Sequence, residues 1–180
     1  MAQAAIGTSL PPELQGDLSA EEDFKPGGET YPFGTHVCVV EIEPETGAIE
    51  IVRYLTVDDC GKVINPLLVE GQVHGGIAQG MGQALFEGVV YDEYGNLLTG
   101  SFMDYAMPRA HLLPSFETNR TETPSPLNPL GVKGIGEAAT IGSTPTVVNA
   151  VIDALSHLDI HHLDMPLTTQ KVWRAIQAAG

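Results

Sequence analysis

Thiols are scarce in this chain: Cys38 and Cys60 are the only two among 180 residues, and no CxxC spacing accompanies them. That excludes an iron-sulfur cluster or a zinc ribbon held by this chain's own residues. Both cysteines stand in strand-like apolar contexts, where a buried, inert thiol is expected. Cations are scarce as well, with 8 lysines and arginines against 23 acids and a formal charge of −15. Such a field repels phosphate backbones and anionic membranes, so nucleic acid is not an expected partner. No apolar run approaches the ~18 residues of a membrane-spanning helix, and no charged segment leads into an apolar one at Met1. The expected compartment is the cytoplasm. GxSxG, HExxH and the lysine-bearing phosphate loop are all missing, and there is no internal repeat.

What is present is globular in kind, with 43% hydrophobic residues. One domain is expected, burying about two thirds of the surface its unfolded form exposes. Residues 1–30 carry Pro11, Pro12, Pro26, Gly27, Gly28 and the acids Glu21, Glu22 and Asp23 with no sustained period. They read as an extended arm or linker, ahead of a domain at 31–180. "THVCVVEIE" and "AIEIVRYLTVDD" are β-branched alternating runs joined by "PETG", which predicts a hairpin. A second strand pair is predicted in "EGVVYDEYGNLLTGSF", with its turn at Tyr94-Gly95-Asn96.

Between these pairs, "NPLLVEGQVHGGIAQGMGQALFE" has a helical period. Val73, Ile77, Met81, Ala84 and Leu85 share one face, and Gln72, Gly76, Gln79 and Gln83 another. Residues 105–130 hold five prolines, too many for regular structure, and read as a long connection. Ser143 or Thr144, with Pro145 behind it, is the predicted start of a helix whose apolar side is Val147, Val148, Val151, Ile152 and Leu155. Thr168 or Thr169 opens a last helix with Val172, Trp173 and Ile176 inward. The fold class is α+β: β-hairpins packed with a glycine-rich helix and two C-terminal helices.

Two features invite chemistry. Interior glycine costs a helix up to ~1 kcal/mol relative to alanine, and the glycine-rich helix holds Gly71, Gly75, Gly76, Gly80 and Gly82. Either another backbone packs closely there, or a ligand lies along the Gln72, Gly76, Gln79 face; both readings stand. The second feature is "GVKGIGEAATIGSTP" at 131–145, where glycines let backbone N–H groups converge ahead of Glu137. Glu137 is either an exposed residue of a tight turn or a general base in a water-poor cleft, where burial raises a carboxyl while Lys133 pulls it down. His157, His161 and His162 read as a solvated cluster, not a metal site. Asp58 and Asp59, beside Gly61, read as turn residues that hydrogen-bond backbone.

"VDDCGKVINPLLVEGQVHGGIAQGMGQALFE" together with "NPLGVKGIGEAATIGSTPTVVNAVIDAL" closely resembles the C-terminal part of the molybdenum-binding large subunit of the xanthine oxidase family, carbon monoxide dehydrogenase type. The similarity runs from about Tyr31 to Ile176. It implies part of a molybdopterin-binding domain, with Glu137 as catalytic base and Gln72 contacting the cofactor. It also implies a cofactor site that takes in Gly75 and Gly76 and is lined by the stretch Lys133, Gly134, Ile135 and Gly136. The implied cofactor is molybdopterin, in its cytosine dinucleotide form, with molybdenum, shared with the remainder of the large subunit; no residue of this chain ligates the metal. Iron-sulfur and FAD subunits are the implied partners, in a dimer of heterotrimers. The implied reaction oxidises carbon monoxide, an aldehyde or a heterocycle with water as oxygen source, and this chain alone is expected to be inactive. The competing expectation is a non-catalytic binding or assembly module that keeps the fold.

Overall fold

β-Branched residues at alternating positions make strand β1 (Phe33–Glu43) and strand β2 (Ala48–Asp59), an antiparallel pair. In the turn between them Gly47 N–H donates to Glu43 O at 2.7 Å. Gly47 has φ +72°, and a Cβ there would stand 2.4 Å from Thr169 O. Side chain is thus excluded twice, by backbone conformation and by the helix that packs on the turn.

The pairing register skips Val52, because Val39 faces Arg53 while Val40 faces Ile51. A one-residue slip reverses which face each side chain occupies. This bulge therefore keeps Ile49 and Ile51 on the same inward side as Tyr54, Thr56 and Asp58, although their numbering changes parity. Val37, Val39, Val52 and Val57 stay exposed on the sheet's other side.

The structure is a computed structural model that describes residues 21–180. Residues 1–20 of the expected arm lie outside the described residues, and 21–32 form neither helix nor strand. The α+β class holds. Strand β3 (Phe116–Thr121) joins β2 in parallel, giving the sheet order β1-β2-β3. It lies inside the stretch read as an irregular connection. Pro114 and Pro124 bracket it without interrupting it, and its residues FETNRT carry little apolar signal because most of them stay exposed. The second predicted strand pair closes as a single bridge, Tyr91 to Leu97. Asp92 organises that turn instead, its side chain accepting from Tyr94 N–H and Asn96 N–H.

Helix α1 (Pro66–Leu85) starts where expected, with Asn65 Oδ1 accepting from Leu67 and Leu68 N–H and proline at its first position. Val73, Ile77, Met81, Ala84 and Leu85 are buried, as the period required. Helix α2 (Ala138–Leu155) begins ahead of its predicted cap, so Ser143, Thr144 and Pro145 lie inside it. The hydroxyls of Ser143, Thr144 and Thr146 turn back onto the carbonyls of Thr140 and Gly142, which suits a helix that loses a donor at Pro145. Helix α3 (Thr169–Ala179) is capped by Thr168. Val172 is fully buried on it, whereas Trp173 stays partly exposed, its Cβ against the Gly47 turn.

α2 packs on both α1 and the sheet. On the sheet side, the His36 ring lies where a Cβ on Gly142 would fall, at 2.8 Å from Nε2. That ring joins two buried groups, Tyr54 Oη at 2.7 Å and Asp58 Oδ1 at 3.2 Å, and Thr56 Oγ1 donates to Asp58 Oδ2 at 2.7 Å. The polar interior under α2 is thereby satisfied.

Candidate functional site

The glycines of α1 divide into two kinds. A Cβ on Gly76 would sit 2.8 Å from Ala139 Cβ and 2.9 Å from Thr140 N, and one on Gly80 would sit 2.9 Å from Thr144 N. Gly76 O accepts from Thr140 Oγ1 at 2.9 Å and from Ser143 Oγ at 3.3 Å. These two glycines serve close packing of α1 on α2. Gly71 and Gly75 have no atom of the described residues within 4 Å of a built Cβ. Their propensity cost is not repaid by any close contact among the described residues.

Gln72 is exposed, as are Gln79 and Gln83. The 131–136 loop comes to meet it: a Cβ on Gly136 would stand 3.9 Å from Gln72 Oε1, while Gly134 faces open space. Glu137 follows as the N-cap of α2, at φ −110° and ψ −8°, exposed and with no capping hydrogen bond from its side chain. Among the described residues its carboxylate enters no ion pair. Ile135 turns the other way, packing against the core and lining a cavity of about 180 Å³ with Asp58, Cys60, Val73 and Arg120.

The loop is fastened at its base. Gly61 and Val132 form a bridge, and Lys62 N–H donates to Gly131 O at 3.0 Å. Asn128 closes the other side, donating from Nδ2 to Val132 O at 2.9 Å and accepting from Val132 N–H at 3.0 Å. Lys133 N–H donates to Cys60 O at 2.8 Å, and its ammonium reaches Asp59 Oδ1 at 3.0 Å while lying over the Phe33 ring. The backbone N–H and the ammonium of Lys133 are thus each engaged within the chain.

Asp59 fulfils its expected turn role by accepting from Gly61 N–H at 2.9 Å, and it also takes Thr121 Oγ1 at 3.1 Å. Its side chain is 0% exposed and that of Lys133 8%. Burial by itself raises the Asp59 carboxyl; the hydrogen bonds from Gly61, Thr123 and Lys133 oppose this and hold it well below the usual carboxylate range. A group lowered in the folded state, against about 3.9 unfolded, contributes stability that is complete above roughly pH 4 and lost as pH falls through the folded value. Unfolding free energy measured against pH should therefore decline on the acid side, and Asp59→Asn should flatten that limb. An unchanged slope would exclude Asp59 as its source.

Other candidates stay apart from this site. His161 and His162 are exposed, and each pairs with a near neighbour, Asp159 and Asp164. Cys38 and Cys60 are unbridged, and burial pushes both thiols up, Cys38 to about 11. Sequence reasoning missed Asn128 and the Lys133 to Asp59 pairing. Nothing local signals either, because the partners lie on elements distant in sequence.

Residues 1–114 match the molybdopterin cofactor-binding domain family, a stretch that contains α1 and ends ahead of the 131–136 loop. The chain is 43% identical over 167 residues to the carbon monoxide dehydrogenase large chain of Hydrogenophaga pseudoflava, which covers 93% of this chain and 21% of that protein. It is 46% identical over 145 residues to the nicotine 6-hydroxylase large subunit of Paenarthrobacter nicotinovorans, covering 81% of this chain and 18% of the other. Among solved structures it resembles a Cu,Mo carbon monoxide dehydrogenase in its carbon monoxide reduced state, with a TM-score of 0.90 and 41% identity over 99% of this chain and 22% of the other. The chain thus spans about a fifth of the length of the curated relatives it matches. It belongs to the molybdopterin cofactor-binding domain family, as a segment of a molybdenum-binding large subunit of the xanthine oxidase family, carbon monoxide dehydrogenase type.

Proposed function

We propose that this chain supplies the catalytic base and one wall of the cofactor site in a molybdenum hydroxylase. One observation carries the reading: Gln72 adjoins Gly136, a Cβ there standing 3.9 Å from Gln72 Oε1, and a Cβ on Gly71, Gly75 or Gly134 would face open space. A large polar cofactor needs amide groups to bond and backbone it can approach without side chains in the way. These residues fit that need. The Gln72 amide and the backbone of Gly134, Ile135 and Gly136 would bond molybdopterin, and Gly75 would let it lie against α1. Gly76 would contribute from behind, by holding α1 on α2. Lys133 would hold the loop in place.

Bound there in its cytosine dinucleotide form, molybdopterin with molybdenum would supply two-electron redox chemistry, with iron-sulfur and flavin subunits as the onward carriers. The part of Glu137 is to accept a proton at its carboxylate as carbon monoxide, an aldehyde or a heterocycle is oxidised with oxygen from water. No competing partner for that carboxylate occurs among the described residues. The working unit is the complete large subunit with its iron-sulfur and flavin partners, a dimer of heterotrimers in the cytoplasm. The 180-residue chain by itself does not turn over substrate.

Co-expression with the remainder of the large subunit, followed by metal analysis and dye reduction with each substrate class, tests this. Bound molybdenum and reduction with one class support it. A stable assembly with neither is a non-catalytic binding module. Gln72→Ala should weaken cofactor binding about tenfold, the order of one lost polar contact of ~1.4 kcal/mol, and so lower molybdenum occupancy. Unchanged occupancy would remove Gln72 from the site.

A further inference from the structure

The geometry points to Asp59 as a positioning residue for Glu137, acting through Lys133. This rests on the reading of Glu137 as the base. Between Lys133 and Glu137 the loop is Gly134, Ile135 and Gly136, and glycine backbone has little stiffness of its own. The place of Glu137 is therefore set by what grips the loop, at Ile135 where it packs against the core and at its two ends. One end is α2, held on α1 through Gly76. The other is Lys133, whose N–H is bonded to Cys60 O and whose ammonium is drawn down to Asp59 at the end of β2.

A buried ion pair is a weak source of stability, because desolvation offsets most of its attraction, and apolar residues of similar volume can do as well. What this pair provides that apolar residues would not is direction. Asp59 is held by Gly61 N–H and Thr121 Oγ1, so it offers Lys133 a fixed anchor. Asp59 also engages the one cation of the motif, and the Glu137 carboxylate enters no ion pair among the described residues.

The test uses the assembled, full-length enzyme. Asp59→Asn should cut kcat per bound molybdenum by about 10², the order expected when a catalytic group is misplaced by about 1 Å. KM should stay within about twofold, and amide hydrogen exchange across residues 133–137 should quicken. A merely structural role would lower yield or occupancy and leave kcat per molybdenum unchanged. Where the single variant does not assemble, Asp59→Ala with Lys133→Met leaves no unpaired buried charge and should show the same loss and the same faster exchange. Unchanged kcat per molybdenum and unchanged exchange in either variant would overturn the inference. Glu137→Gln run in parallel separates the two ideas. If it keeps its turnover, the base reading fails. If it is inactive while the Asp59 variants are normal, only the positioning role fails.

Discussion

Glu137→Gln in the assembled enzyme should lose 10² to 10⁴ in turnover, the ordinary range for a removed general base, while molybdenum content stays at the parent level. Glutamine keeps the shape of the side chain and removes the proton acceptor. The structural cost should be small, because Glu137 is exposed and its side chain makes no capping bond. The loss of a negative charge at the start of α2 accounts for about 0.3–1 kcal/mol at most. Dye reduction per bound molybdenum and a thermal unfolding curve together decide the matter. Turnover near the parent rate would show that proton transfer runs through another group. A large fall in melting temperature would mean that Glu137 holds structure instead.

The second large effect contrasts two glycines on one helix. Gly80→Val should destabilise the chain by about 3 kcal/mol, since overpacking a close contact typically costs 1–3 kcal/mol and backbone cannot yield as a flexible side chain can. The obstacle is Thr144 N, 2.9 Å from where the new Cβ would stand, with Ser143 Oγ closer still. For a domain of this size that is a fall in melting temperature of about 6–12 °C. Gly75→Ala should do the reverse. Nothing within 4 Å opposes its Cβ, so the gain in helix propensity of about 0.5–1 kcal/mol should raise the melting temperature by about 1–4 °C. If Gly75 lies under the cofactor, the same variant in the assembled enzyme should bind less molybdenum. A variant that is more stable and equally well loaded would take Gly75 out of the site.

The elements most legible in the sequence were those whose signal is local. Alternation marked β1 and β2, and the period of Val73, Ile77 and Met81 marked α1. β3 was not legible. Its side chains are mostly polar and it is flanked by proline, so pairing with β2 alone makes it a strand. The start of α2 was misplaced because Ser143, Thr144 and Pro145 look like an opening, whereas tertiary packing on Gly76 and Gly80 carries the helix back to Ala138. The second hairpin was overread, as its turn chemistry at Asp92 is present without the strands to extend it.

The site shows the same division. By itself the sequence determined which residues to watch: Gln72 after a glycine, Glu137 after three, each in a stretch poor in other chemistry. Residue type and spacing are local properties, and they survive in the linear chain. Only the tertiary structure decided that Gln72 and Gly136 adjoin, that Gly76 serves packing while Gly75 stays open, and that Lys133 turns to Asp59 and not to Glu137. Each of those facts is a distance between atoms far apart in sequence, set by how β2, α1 and α2 pack. No local pattern encodes it.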